Sequence, residues 1–420
     1  MSLPSKHLAI EAIKKKLVGK QLTYNEVFSV MDEIAHKRLG PVLTTYFAAA
    51  GFTEGFSDDE LYYLTKSMVE TGTKLSFSGI VADKHSSGGV AGTRTTMILV
   101  PIIAAAGIKI PKTSSRAITS PSGTADTMEV IAPVTFSPTQ ITQIVEHVGG
   151  CIVWGGHLGI APADDILISV EEPLSFESFD KVIISIMAKK VAVGATHVIL
   201  DIPYGLNQKI KHFKDAQIIE KKFLRLAKRF KMKMIVDINE TRQPVGRGIG
   251  PVLEVRDVFQ ILQQHHDRPL KLEQKALRLS AKLLDLCFTD MKGEFKPGMG
   301  ETVAQDILTS GKALQKMREI IKAQGGDPAI DFQSLQLAKN KFEYKSPRTG
   351  RITHLNNREA TVIAKILGSP NDKKAGIYLE RKIEDEISKN DILCILYSGD
   401  KWRLKEAAET LAHLPIYKVE

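Results

Sequence analysis

Residues 83 to 90 read Asp-Lys-His-Ser-Ser-Gly-Gly-Val, between a strand-like run, Ser78 to Ala82, and a helix-like run, Thr93 to Ala106. A strand that turns through glycines into a helix restricts the chain to folds that pack helices on a sheet. The glycines let backbone approach an anion closely, and the following helix aims its first N–H groups at it. Lys84 adds a positive charge, and Ser86 and Ser87 add hydroxyl donors. The spacing is neither GxxxxGK[ST] nor GxGxxG, so the common nucleotide loops are not at issue. A plain glycine-rich turn would account for the glycines alone. The lysine, the histidine and two serines in one turn favour an anion site.

The texture on either side defines the organisation. Before residue 73, Ile10, Ile13 and Leu17 recur at helical spacing, as do Val27, Val30 and Ile34, and Asp58-Asp59 looks like a helix start before LYYLTKSMVE. Further on, strand-like runs at Cys151 to Trp154, His197 to Asp201 and Met234 to Asp237 alternate with helix-like runs at Pro138 to Val148, Asp180 to Val193, Ala216 to Phe230 and Val252 to Gln264. Alternation of this kind argues for a largely parallel sheet. Residues 270 to 325 look helical, and short strands broken by turns follow from about 345.

The expected fold is thus α/β: a small all-helical domain, a large α/β domain with a mixed, largely parallel sheet, and a small C-terminal α+β domain. The expected boundaries are 1–73 for the helical domain, joined by about 162–193. The α/β domain takes 74–161 and 194–340, and the last domain 341–420.

Composition narrows the function classes. With 43% hydrophobic residues in 420, a sizeable core is available. The longest apolar stretch, Met97 to Gly107, contains a proline and is too short to span a bilayer, so it reads as a buried helix. The N-terminus lacks the apolar core of a signal peptide, which points to a cytoplasmic protein. Cys151, Cys287 and Cys394 are far apart and read as buried thiols, not a metal or disulfide set. The net charge of +9 suits either nucleic acid or small anionic substrates. Lysines and arginines are scattered and aromatics are only 6%, so no stacking surface for nucleic acid stands out.

A second loop follows the strand-like run Ile108 to Pro111. It reads KTSSRAITSPSGTAD and gathers Thr113, Ser114, Ser115, Thr119, Ser120, Ser122 and Thr124 around Arg116. Hydroxyls and a guanidinium supply oriented donors to an oxyanion, although a polar surface loop would have the same composition. KHSSGG, SSRAITSPSGTADTMEVIAPV, GIAPADD, MAKKVAVGATHVILDIPYG and TRQPVGRGIGPVLEVRD occur in that order. With these segments the chain resembles the thymidine phosphorylase superfamily over about residues 8 to 415. Their wording is closest to the AMP phosphorylases and the bacterial thymidine phosphorylase-like proteins.

That resemblance implies roles. Lys84, Ser86, Ser87, Thr95, Ser114 and Thr124 would hold phosphate. Gly89, Ser115, Arg116, Ala117, Ile118, Thr119 and Ser120 would line the nucleoside or nucleotide. Ser185 would orient the base, and Lys209 matches a nucleotide-contacting lysine of the AMP phosphorylases. His85 and Lys189 would stabilise the leaving base, Ser185 and Lys189 sharing one helix face by their spacing of four. Glu177 falls at the family's proton donor, a position usually occupied by aspartate. No metal or cofactor is implied, phosphate being a co-substrate, and a homodimer through the helical block is expected.

Three departures bear on the substrate. The arginine that thymidine phosphorylases carry after the APAD landmark is absent from 164–172, and Ser120 stands where they have histidine. AMP phosphorylases also carry a domain ahead of the helical block, and this chain begins almost directly in that block. The first expectation is a thymidine phosphorylase, cleaving a pyrimidine nucleoside to free base and (deoxy)ribose 1-phosphate. The alternative is an AMP or nucleoside-monophosphate phosphorylase giving ribose 1,5-bisphosphate. A second alternative is an enzyme like anthranilate phosphoribosyltransferase, which shares the architecture but uses pyrophosphate and magnesium. In either phosphorylase case the partners are the nucleoside or nucleotide and phosphate, with no nucleic acid and no membrane.

Overall fold

The computed structural model describes residues 6–420 apart from Gly89, Ile118, Thr119, 172–177, Lys292 and Glu294. Four helices open it: α1 (Lys6–Leu17), α2 (Tyr24–Ala35), α3 (Pro41–Glu54) and α4 (Asp58–Glu70). Thr23 and Ser57 cap α2 and α4 in reciprocal boxes with Glu26 and Glu60. Asp58 and Asp59 lie in the first turn of α4, where carboxylates suit the helix N-terminus. Glu60 also takes Lys16 of α1 at 2.9 Å, a buried pair that ties α1 to α4. Two later helices return to this block. α8 (Pro162–Glu171) packs on α2 and α3, and α9 (Phe179–Ala192) packs on α4.

From residue 82 strands and helices alternate. The order is β1 (Ala82–Ser86), α5 (Thr95–Ala105), β2 (Ile110–Ser114), α6 (Thr124–Met128), α7 (Pro138–Val148) and β3 (Gly150–Trp154). After α8 and α9 come β4 (His197–Tyr204), α10 (Phe213–Arg229), β5 (Lys233–Glu240), β6 (Gly248–Ile249) and α11 (Pro251–Leu262). The helices α12 (Leu270–Phe288), α13 (Gly300–Thr309) and α14 (Lys312–Ala323) complete this part. β2 pairs with β3, and β1 and β5 flank β4, all in parallel. A parallel bridge between Val81 and Lys109 joins the two groups in the order β3-β2-β1-β4-β5. Such a sheet must be covered on both faces. Accordingly α5, carrying the long apolar run, is buried along nearly its whole length.

Two strands sit later than their hydropathy suggests. The first runs Ala82–Ser86 instead of 78–82, and the second Ile110–Ser114 instead of 108–111. Both end in polar residues, Lys84-His85-Ser86 and Lys112-Thr113-Ser114. Apolar patterning therefore stops short of the carboxyl ends where this sheet carries its chemistry.

The last part has β7 (Asn340–Lys345), β8 (Gly350–Leu355), α15 (Asn357–Leu367), β9 (Gly376–Leu379), β10 (Glu386–Ile387), β11 (Ile392–Ser398), α16 (Lys401–His413) and β12 (Tyr417–Val419). β6 leaves the parallel region to pair antiparallel with β9, in the order β6-β9-β11-β7. Ala91 and Ile249 enter the core of this domain, so it is stitched to the segment just after the first turn. Among the described residues no helix is long and apolar enough to cross a membrane.

Candidate active site

In a parallel sheet, strands that point the same way bring their carboxyl ends to one edge, and ligands collect there. β1, β2 and β3 end at Ser86, Ser114 and Trp154, and all three residues line a cavity of about 720 Å³. Its opposite wall is helical, with α8 contributing Asp164, Asp165 and Glu171 and α9 contributing Lys181, Ser185 and Lys189. The volume suits a ligand the size of a nucleotide.

The turn after β1 needs Gly88, whose φ of +83° L side chains rarely adopt. The serine-rich loop needs Gly123, where a Cβ would lie 2.5 Å from the Arg116 carbonyl carbon and the Ser115 oxygen. These two close approaches hold the loops in place.

Beneath the turn, Lys84 is buried 3.9 Å from Asp201, which lies within β4 opposite Ser86. Burial pulls its pKa down to about 8, against the attraction of Asp201. Asp201 also accepts from Ser86 Oγ at 3.1 Å and Asn239 Nδ2 at 2.7 Å, and pairs with Lys275 at 3.1 Å. Burial would raise the Asp201 pKa, but Lys275 and Lys84 hold it below the usual carboxylate range. The hydroxyls of Ser87, Thr95 and Ser114 are buried with no hydrogen-bond partner among the described residues. An unpaired buried hydroxyl is costly, and its persistence at three points near one lysine-bearing turn fits donors arranged for an anion.

His85 lines the cavity over a bed of cations. Burial, then Lys190, Lys112, Lys84 and Lys189, push its pKa well below the ordinary histidine value, so its ring is neutral at pH 7. Asp83 beneath it takes Lys190 in a hydrogen bond and Lys112 at 3.5 Å. Burial lowers the Lys190 pKa to about 7 despite Asp83.

On the helical wall Asp164 accepts from Ser185 at 2.7 Å and pairs with Lys189 at 2.7 Å, and Lys189 lies 3.3 Å from Ser185. Burial would lower the Lys189 pKa, but Asp164 outweighs it and keeps the ammonium charged. The face that could have been a solvated helix surface is therefore a cavity wall. Asp165, also on this wall, is raised to about 6 by burial, with Lys189 opposing and Asp164 adding.

His85, Ser86, Ser87, Ser114, Ser115, Arg116, Ser120, Ser185, Lys189 and Lys209 thus line one cavity. Lys84, Thr95 and Thr124 lie outside its lining, and so does Ala117, whose N–H binds Asp126 at 2.6 Å. Thr124 accepts from Arg94 at 3.1 Å, and Arg94 is held by Glu254. The Arg116 guanidinium is engaged by Glu129 at 2.6 Å and Asp126 at 3.1 Å, 4.8 Å from the Trp154 ring centre. Its contribution here is to brace the loop. Gly89, Ile118, Thr119 and Glu177 lie outside the described residues. Sequence reasoning missed Arg94, Trp154, Asp164, Lys190, Asp201 and Lys275. Only the second lysine of AKK and the APADD landmark gave any signal. The His265-His266-Asp267 group, which combines metal-ligand side chains, is not part of the cavity lining.

Family models match most of the chain. The glycosyl transferase family a/b domain covers residues 78–314, its helical bundle domain residues 10–72, and the pyrimidine nucleoside phosphorylase C-terminal domain residues 351–416. The AMP phosphorylase of Methanocaldococcus jannaschii is 40% identical over 408 residues, 97% of this chain and 80% of the relative. The chain belongs to the pyrimidine nucleoside phosphorylase family.

AMP phosphorylase 1 of Archaeoglobus fulgidus is likewise 40% identical, over 96% of this chain and 78% of its own length. Among solved structures, anthranilate phosphoribosyltransferase from Thermus thermophilus superposes with a TM-score of 0.61 over 75% of this chain and 99% of that one. At 16% identity this shows the shared fold alone. Family membership makes the chain a pentosyltransferase, an enzyme that transfers a pentosyl group.

Proposed function

We propose that the chain cleaves nucleoside 5′-monophosphates, AMP first, with inorganic phosphate, giving free base and ribose 1,5-bisphosphate. The observation that carries phosphate as the attacking group is the set of buried hydroxyls on Ser87, Thr95 and Ser114, which have no partner among the described residues. The relatives named AMP phosphorylase favour the nucleotide over thymidine, the first expectation from the sequence. The missing arginine and Ser120 point the same way.

In the reaction, a phosphate oxygen bonds to the anomeric carbon as the carbon–nitrogen bond breaks, its electron pair leaving with the base nitrogen. Ser86, Ser87 and Ser114 on the cavity wall, supported by Lys84 and Thr95 outside its lining, hold phosphate below the ring, which makes the attack local. Charge builds on the base, where Lys189, kept cationic by Asp164, and the neutral His85 ring supply donors. The proton that neutralises the base comes from a carboxylic acid, a role assigned to Glu177 by family resemblance. Thr124 and Arg94 shape the loop, while Ser185 and Lys209 position base and nucleotide. The enzyme works without a metal or organic cofactor and in the cytoplasm. It forms a homodimer through the helical block, where Leu17, Val18, Val42 and Tyr46 are exposed.

The test is base release with AMP, CMP, UMP, adenosine, uridine and thymidine side by side in phosphate. The proposal requires release from the monophosphates well above the free nucleosides. Thymidine as the best substrate would refute the nucleotide reading.

A further inference from the structure

One turn before Ser185, the face of α9 that carries Ser185 and Lys189 also carries Lys181. All three side chains line the cavity at spacings of four. Lys181 Nζ is hydrogen-bonded to Glu171 at the end of α8, with side chains only 12% and 11% exposed. Burying such a pair costs desolvation that its own attraction does not reliably return. Lys84–Asp201 and Lys189–Asp164 have uses in the reaction above. Lys181–Glu171 has none.

Position along the helix supplies one. Lys189 marks the reacting end, since it lines the cavity together with His85, its proposed partner on the leaving base. Lys181 is two turns away, about 12 Å along the axis. Ser185 lies between Lys189 and Lys181 on this face, so a base bonded to Lys189 and Ser185 would extend along the line toward Lys181. α4, which packs on both α8 and α9, adds Leu64 and Met68 to the wall, as an apolar base chamber requires.

We infer that Lys181 and Glu171 read the far edge of the base, an assignment that rests on the nucleotide phosphorylase reading. An ammonium only donates and a carboxylate only accepts, so together they offer a neighbouring donor and acceptor. Adenine presents its amino group beside a ring nitrogen, cytosine does the same, and uracil presents an N–H beside a carbonyl. The pair therefore serves several bases and discriminates against one that has an acceptor but no neighbouring N–H. A site built to bond a donor rejects the analogue that lacks it.

The experiment compares kcat/KM for AMP and for purine riboside 5′-monophosphate, which lacks the amino group. Wild type is expected to prefer AMP by about tenfold or more. Lys181→Met/Glu171→Leu removes both charges together, so no unpaired ion is left buried. It is expected to bring the ratio near one with KM for phosphate unchanged. Glu171→Gln, a smaller change, is expected to lower the ratio as well. A double variant that keeps the wild-type ratio, or that loses turnover equally on both substrates, overturns the assignment. If wild type turns over no nucleotide, the phosphorylase reading fails by itself. Binding of adenine against unsubstituted purine then decides the pair, and an equal ratio in wild type and variant overturns it.

Discussion

Lys84 Nζ and Asp201 Oδ2 are 3.9 Å apart, too far for a hydrogen bond, although both side chains are buried. Asp201 is already occupied by Ser86, Asn239 and Lys275. The ammonium is therefore held near an anion without being consumed by it, which suits the phosphate-holding role proposed for it. Lys84→Met is expected to raise KM for phosphate by roughly ten- to a hundredfold, the loss of a charge-assisted bond of about 1.5–3 kcal/mol. Steady-state kinetics with varied phosphate checks this, and an unchanged KM would remove Lys84 from the site.

The same lysine sets an alkaline limit. Its pKa of about 8 means it is charged below pH 8 and neutral above. In free enzyme, kcat/KM for phosphate should hold up to about pH 8 and fall beyond it, roughly tenfold per unit. A flat profile from about pH 7.5 to 9.5 would show that Lys84 keeps its proton.

Thr95 Oγ1 is buried without a partner among the described residues, a cost to the free protein that the proposed phosphate contact would offset. Thr95→Val should leave the melting temperature unchanged or raise it, while KM for phosphate rises about tenfold. A fall in melting temperature would show that the hydroxyl has a structural bond.

Asp164 is shared by Lys189 and Ser185. Asp164→Ala leaves a cation without its anion, and breaking such a pair costs on the order of 3 kcal/mol or more. The Lys189 ammonium then loses the attraction that keeps its pKa up. Denaturant unfolding and kcat should both fall. A variant of full stability and turnover would contradict the geometry.

Asp165 offers a linkage test. Its carboxyl is raised to about 6, so the folded chain holds that proton more tightly than the unfolded chain. The stabilisation is fully present below the unfolded value near 4 and is lost as pH rises through 6. Asp165→Asn removes the charge that burial disfavours. Its melting temperature should exceed that of wild type at about pH 8, and the two should converge toward about pH 4. The side chain faces open cavity, so screening keeps the difference small. A difference independent of pH would assign it to packing.

Much of this architecture is legible in the sequence because the signals are local. The helix at Pro138–Val148 is bounded by the Ser137 cap, a first-turn proline and Gly149 in the left-handed region. Its limits can be read directly. The strands at Ala82–Ser86 and Ile110–Ser114 are harder, since their polar ends belong to the site and break the apolar pattern. Lys84, His85 and Ser114 stand in recognisable runs. Asp201 and Lys275 do not, because parallel pairing and helix packing bring them beside the first turn from far along the chain, Asp201 lying 115 residues beyond the Ser86 that it binds. Arg94 is close in sequence, but only its bond to Thr124 in the second loop shows what it does. Lys181 and Glu171 look like surface charges until α8 and α9 fold back on the helical block.

The central claim is that phosphate itself attacks the ribosyl carbon. Incubation with AMP and isotopically labelled phosphate measures this directly. The account predicts that adenine appears only with phosphate present, in equal amount to label carried on carbon 1 of ribose 1,5-bisphosphate. Adenine released at the same rate without phosphate, or release that demands pyrophosphate and magnesium, would contradict it.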